Sequence, residues 1–79
     1  MTANNVVLSA AEKILNDNLS SWTGNKTNHN ISLEDLRVLI QAGGMLTQNV
    51  DNQDGTFFYE VSYQGHVFVT SSAIKIVLP

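Results

Sequence analysis

The sequence predicts an α+β fold in which two helices pack on one face of a three- to four-stranded antiparallel sheet. Two segments in the first half repeat apolar residues at spacings of three and four, as amphipathic helices do. All three Phe and both Tyr lie between Thr56 and Thr70, where a glycine separates two alternating segments. Turn-forming residues divide these segments from one another. At 79 residues the chain is expected to form a single domain, residues 1–79.

The first helix is predicted from about Ala10 to Trp22. Ser9 and Glu12 have the spacing of a capping box, in which each side chain bonds the backbone of the other residue. The short apolar segment Val6–Leu8 precedes it and is a possible N-terminal strand. The stripe that this helix buries is predicted to contain Ala11, Ile14, Leu15, Leu19 and Trp22.

The second helix begins after a polar connector at 23–30, in which His29 is expected to be solvated. Ser32 is its predicted N-cap, and the two acidic residues that follow favour the positive end of the helix dipole. Gly43 and Gly44 are predicted to end it. Its buried stripe is predicted to contain Leu33, Leu36, Leu39 and Ile40.

The second half of the chain predicts strands and two tight turns. The first turn is the Asp-Gly stretch at 51–55, and the second is Gln64-Gly65, where glycine allows the positive φ of a two-residue hairpin. The predicted strands are Met45–Val50, Thr56–Tyr63, His66–Ser71 and, as a possible fourth, Ala73–Leu78.

A two-residue turn fixes which residues of the hairpin share a face, because strand side chains alternate. It pairs Tyr63 with His66, Val61 with Phe68 and Tyr59 with Thr70, and this row is predicted to form the core. The opposite row pairs Ser62 with Val67, Glu60 with Val69 and Phe58 with Ser71.

The opposite row is apolar in part, and two short helices cannot cover both faces of a sheet. We therefore expect a partner-binding surface there, with Trp22 as a further contact. Two alternatives stay open, since scattered surface apolar residues are common and the segment Val6–Leu8 could fold over this face. The predicted contact residues are Phe58, Glu60, Val67, Val69 and Trp22.

Charge and composition exclude several classes of function. The net charge is −3, and the chain has only four Lys and Arg, which are scattered. A nucleic-acid surface or an anionic membrane needs clustered cations, so neither is an expected partner. There is no cysteine, which excludes disulfides and thiolate zinc sites but does not indicate a compartment. The sequence has no basic leader and no long apolar run, so we expect a cytoplasmic protein.

No motif of catalysis, metal binding or nucleotide binding occurs in the sequence. His66 opposite Tyr63 is interpreted as a cross-strand contact, and the Asp- and Asn-rich stretch at 51–55 as a turn. We expect no enzymatic activity, no cofactor and no metal.

The predicted function is therefore a non-enzymatic protein-binding module, such as a small acidic inhibitor, accessory or adaptor protein of the kind that phages and mobile elements encode. Its partner is expected to be another protein or a second copy of itself, bound through the outer sheet face. The alternative is a winged-helix-like DNA-binding regulator, because helices followed by a hairpin are also the order of that fold. The acidic hairpin at 51–55 and the single cation of the second helix, Arg37, weaken this alternative.

Overall fold

Two helices pack on one face of a four-stranded sheet in the computed structural model, which describes residues 5–19 and 28–76. The elements in chain order are α1 (Asn5–Leu19), β1 (Asn28–Asn30), α2 (Leu33–Gln41), β2 (Met45–Asp51), β3 (Phe57–Tyr63) and β4 (His66–Ser72). The strands lie side by side in the order β1-β4-β3-β2. The predicted α+β class, with its two helices and its sheet, is confirmed. The sheet is mixed, because β1 runs parallel to β4 while the other pairs are antiparallel.

Helix α2 begins and ends as predicted. The Ser32 side chain accepts a hydrogen bond from the Asp35 N–H at 3.1 Å, which satisfies one of the free amides of the first turn. At the other end Gly43 has φ +109°, and the Gly44 N–H bonds back to the Leu39 carbonyl at 2.7 Å. This glycine-ended arrangement satisfies a terminal carbonyl and turns the chain into β2.

Helix α1 begins earlier than predicted. It starts at Asn5, so the segment Val6–Leu8 is helical and the expected N-terminal strand is wrong. The capping box at Ser9 is wrong for the same reason, because Ser9 lies inside the helix. Val7 stands four residues before Ala11 and continues the apolar stripe by one turn, which favours the longer helix. The side chains of Ala11, Ile14 and Leu15 are buried as predicted.

The β3–β4 hairpin has the predicted register throughout. Tyr63 pairs with His66, Val61 with Phe68 and Tyr59 with Thr70. Gln64 and Gly65 have φ of 50° and 80°, which is the double positive-φ conformation that matches the twist of a two-residue hairpin. Tyr59, Val61 and Phe68 are fully buried against Leu36 and Leu39 of α2.

Strand β1 lies where the sequence predicts a connector. Asn28, His29 and Asn30 pair with Val67, Phe68 and Val69 of β4, and the Ile31 N–H bonds the Val69 carbonyl at 3.1 Å. This pairing puts His29 on the same side of the sheet as Phe68. His29 is therefore 4% exposed, and the prediction of a solvated loop residue is wrong.

The predicted strand Ala73–Leu78 is wrong for residues 73–76, and residues 77–79 lie outside the described part of the chain. The side of β4 that such a strand would extend is already paired with β1. The chain instead crosses the core side of the sheet. The Tyr59 hydroxyl donates to the Ile74 carbonyl at 3.1 Å and accepts from the Ile76 N–H at 2.8 Å.

Candidate protein-binding face

The side of the sheet opposite the helices is called the outer face here, and the register defines it. Tyr59, Val61 and Tyr63 of β3 are buried in the core, so the alternate residues of that strand point to the other side. Their cross-strand neighbours on β2 and β4 share this side. The outer face thus contains Met45, Gln48 and Val50 of β2, Phe58, Glu60 and Ser62 of β3, and Val67, Val69 and Ser71 of β4.

A β-bulge in β2 sets which of its residues reach the outer face. Leu46 pairs with Val61 while Gln48 pairs with Glu60, so Thr47 is the extra residue. The Thr47 hydroxyl donates to Oε2 of Glu60 at 2.7 Å, and it lies 3.1 Å from the Glu60 carbonyl oxygen. The bulge therefore holds the carboxylate of Glu60 in place on this face.

Apolar side chains on the outer face differ in how much of them reaches solvent. Met45 is 69% exposed and Val50 is 45% exposed. Phe58 and Val67 are half-buried. Val69 is 6% exposed and does not belong to the main core cluster. The most accessible apolar side chains of the outer face are therefore Met45 and Val50 of β2, whereas the side chain of Val69 is buried.

The structure brings four of the five predicted contact residues onto one face. Phe58, Glu60, Val67 and Val69 all lie on the outer face, and Glu60 is directly opposite Val69. Trp22, the fifth, lies outside the described residues. The segment Val6–Leu8 continues the helix that packs on the core side, so it does not cover this face as a strand.

Sequence reasoning missed Met45 and Val50, the two most exposed apolar side chains of the outer face. Val50 could have been found by counting back from the turn at 51–55, because the pairing of Asp51 with Phe57 puts Val50 opposite Phe58. Met45 could not, since the bulge between Leu46 and Gln48 changes which residues lie opposite β3. No apolar pattern in this polar strand indicates the position of the bulge.

The outer face has little charge. Glu60 is its only ionisable side chain, so a partner that bound there would meet mainly apolar and uncharged polar groups. A second carboxylate, Asp54, lies in the exposed turn between β2 and β3. A hydrogen bond from the Thr56 hydroxyl, with a second from the Thr56 N–H at 2.9 Å, lowers the pKa of Asp54 below its usual value.

Two imidazoles lie together on the core side, near the turn of the β3–β4 hairpin. The ring centroids of His29 and His66 are 6.1 Å apart, and that of His29 is 5.3 Å from Phe68. Within residues 5–19 and 28–76, no three His, Asp or Glu side chains come close enough to hold a metal ion. The pair is an aromatic contact that packs β1 on β4.

In comparisons with known proteins, no family model, no curated protein and no solved structure matches the chain. Neither α1 nor α2 has the length and apolar content that a helix needs to cross a membrane.

Proposed function

We propose that the protein is a non-enzymatic protein-binding module, an accessory, adaptor or inhibitor protein that binds another protein through the outer face. The observation that supports this most directly is the exposure of Met45 and Val50 beside half-buried Phe58 and Val67. A sheet with one face packed on helices usually presents polar residues on the other. Contiguous exposed apolar residues are typical of interaction sites.

The chemistry of the outer face indicates the kind of partner. Aromatic and Met side chains are enriched at protein interfaces, and charged residues are depleted at their centres. Phe58 and Met45 supply the first feature. The second is met because Glu60 is the single charged side chain among the outer-face residues. Thr47 already holds that carboxylate at 2.7 Å, so it is pre-oriented to accept a hydrogen bond from a donor at the rim of a partner.

The experiment combines capture with charge substitution on the outer face. The purified chain is immobilised and incubated with a lysate of its native host, and the bound proteins are identified by mass spectrometry. We then measure how tightly the captured protein binds to the wild-type chain, to the Met45→Glu variant and to the Val67→Glu variant. Asn16→Glu, on the exposed side of α1, is the matched control.

We expect each outer-face substitution to weaken binding at least tenfold, because a carboxylate would be desolvated at the interface. The control is expected to bind as the wild type does. Equal binding by all four proteins would contradict the proposal. If the captured protein is this chain itself, light scattering of the same variants decides whether the outer face holds two copies together.

The alternative of a winged-helix-like DNA-binding regulator is tested on the same samples. It requires retardation of duplex DNA at low salt, with an affinity that falls steeply as salt is added. DNA binding would be favoured over protein binding if Arg37→Gln abolished the retardation and Met45→Glu left it unchanged.

A further inference from the structure

We propose that strand β2 pairs with β2 of a second copy of the chain, edge to edge and antiparallel, on a two-fold axis through Val50. This inference goes beyond the binding function proposed above and does not depend on it. It follows from the backbone of β2, whereas that function concerns the side chains of the outer face.

β2 is an edge strand with unpaired backbone groups. Among the strands that the structure describes, it lies at the end of the sheet and is bonded only to β3. The Asn52 N–H donates to the Thr56 carbonyl at 3.0 Å, which fixes the alternation of the ladder. Hydrogen-bonded pairs then fall at Val50 and Gln48, so the N–H and C=O groups of Asn49 and Asp51 point away from β3.

These outward groups have no backbone partner among residues 5–19 and 28–76. Natural proteins protect such edges with lysine, proline, β-bulges or inward-pointing charges. β2 contains no lysine and no proline, and its single charge, Asp51, is its last residue. The bulge at Thr47 interrupts the first half of the strand and leaves a regular stretch from Gln48 onward.

The regular stretch selects one register. An axis through Val50 pairs Asn49 of each copy with Asp51 of the other. The outward N–H and C=O groups of Asn49 and Asp51, four in each strand, then all have hydrogen-bond partners. An axis through Asn49 would place Asp51 opposite the bulged Thr47, where the ladder is irregular. The Val50 register also keeps the two Asp51 residues apart, because each faces an asparagine.

The side chains agree with this register. Val50 would face Val50 of the second copy in a non-hydrogen-bonded pair, where side chains approach most closely. Val50 is 45% exposed in the single chain, so pairing would remove an apolar side chain from water. A closed two-fold pair uses the β2 edge of both copies, so no β2 edge is left to bind a third copy.

The test uses the absence of cysteine from the chain. Val50→Cys introduces one thiol per copy, and the proposed register brings the two Cβ atoms within reach of a disulfide. We expect a covalent dimer of about 17 kDa, twice the 8.7 kDa of one chain, under a mild oxidant. Met45→Cys is the control, because it is more exposed but has no copy of itself nearby in this register. We expect Val50→Cys to cross-link at least tenfold faster.

A backbone substitution gives the second measurement. Asn49→Pro removes an N–H that points away from β3, so the β2–β3 ladder keeps its bonds while the edge loses a donor. Light scattering should report a dimer for the wild type and for Asn49→Ala, and a monomer for Asn49→Pro with an unchanged circular dichroism spectrum. Should Asn49→Pro fail to fold, the two cysteine variants decide.

Equal cross-linking rates at positions 45 and 50, or a wild type that stays monomeric at millimolar concentration, would overturn the inference. The inference would also be overturned if Val67→Glu dissociated the dimer and Asn49→Pro left it intact. That result would assign self-association to the outer face. If the cross-linking shows edge pairing but the lysate experiment captures no other protein, the inference stands and the proposed function is contradicted.

Discussion

The hydroxyl of Tyr59 accepts a hydrogen bond from the backbone N–H of Ile76 at 2.8 Å and donates one to the Ile74 carbonyl at 3.1 Å. One side chain of β3 thus holds the segment after β4 against the core side of the sheet. Ile76 is buried there with Tyr59 in the main core cluster.

Tyr59→Phe is expected to destabilise the protein by about 1–3 kcal/mol, because the buried Ile76 N–H loses its acceptor while the ring still fills its site. Tyr63→Phe is the control, since the Tyr63 hydroxyl has no hydrogen bond within the described residues, and it should change stability by less than about 0.5 kcal/mol. Urea unfolding of both variants measures the difference. Equal stability of the two would show that the hydroxyl does not hold the segment.

Gly44→Ala is expected to destabilise the fold by about 1–3 kcal/mol through overpacking. A Cβ at this position would lie 2.7 Å from the Leu39 carbonyl oxygen and 2.9 Å from Cγ1 of Val61. The first contact is to backbone at the end of α2, which cannot move aside cheaply. Thermal unfolding followed by circular dichroism measures the loss.

The matched control for Gly44→Ala is Gly65→Asn. Gly65 has φ +80° and open space where a Cβ would stand, and asparagine tolerates the left-handed region. It should lower the melting temperature less than Gly44→Ala does. The reverse order would mean that backbone conformation, and not the close approach of α2 and β3, requires the glycines.

Gln64→Asn is expected to stabilise the β3–β4 hairpin by about 0.5 kcal/mol. Gln64 occupies a positive-φ position before Gly65, and Asn-Gly is the preferred pair for this turn. Gln64→Val is the opposing control, because a β-branched residue is disfavoured at positive φ and should destabilise the hairpin. A higher denaturant midpoint for Gln64→Val than for Gln64→Asn would contradict the positive-φ conformation of this turn.

Thr56→Val is expected to raise the pKa of Asp54, because the Thr56 hydroxyl is the main group that lowers it. A lowered pKa in the folded state means that the ionised carboxylate stabilises the fold above its unfolded value of about 3.8, and that this stabilisation is lost as the pH falls through the folded value. The stabilisation of the turn by Asp54 should therefore weaken below about pH 4 in the wild type.

Carbon-13 titration of the Asp54 carboxyl by NMR measures the pKa directly. Thr56→Ser keeps the hydroxyl and should keep the low value, whereas Thr56→Val should move it toward the ordinary one. An identical Asp54 titration in the serine and valine variants would assign the lowered pKa to backbone N–H groups, chiefly that of residue 56.

The hairpin and the second helix could be predicted because their signals are local. Gly65 fixes the turn, alternation then fixes every pair of β3 and β4, and Ser32 with Gly43 and Gly44 marks the two ends of α2. The four predicted outer-face residues followed from that register, and the structure places them together.

The missed elements depend on contacts between distant parts of the chain. Asn28–Asn30 has no strand propensity, and it becomes a strand only because β4 offers an unpaired edge and the core side accepts His29. The alternation of residues 73–78 predicts a strand, but β1 occupies the edge it would need. At α1, the β-branched Val6 and Val7 and the Ser9 capping signal favour a later start, and the continued apolar stripe from Val7 to Ala11 outweighs them.

The parallel pairing of β1 with β4 has a consequence for the order of folding. β2, β3 and β4 are joined by short turns and can form from local contacts, whereas β1 must close a loop that includes α2, β2 and β3 before three residues can pair. We therefore expect β1 to join the sheet last and to leave it first. Amide hydrogen exchange should report this, with the Ile31 N–H exchanging faster than the amides that join β3 to β4.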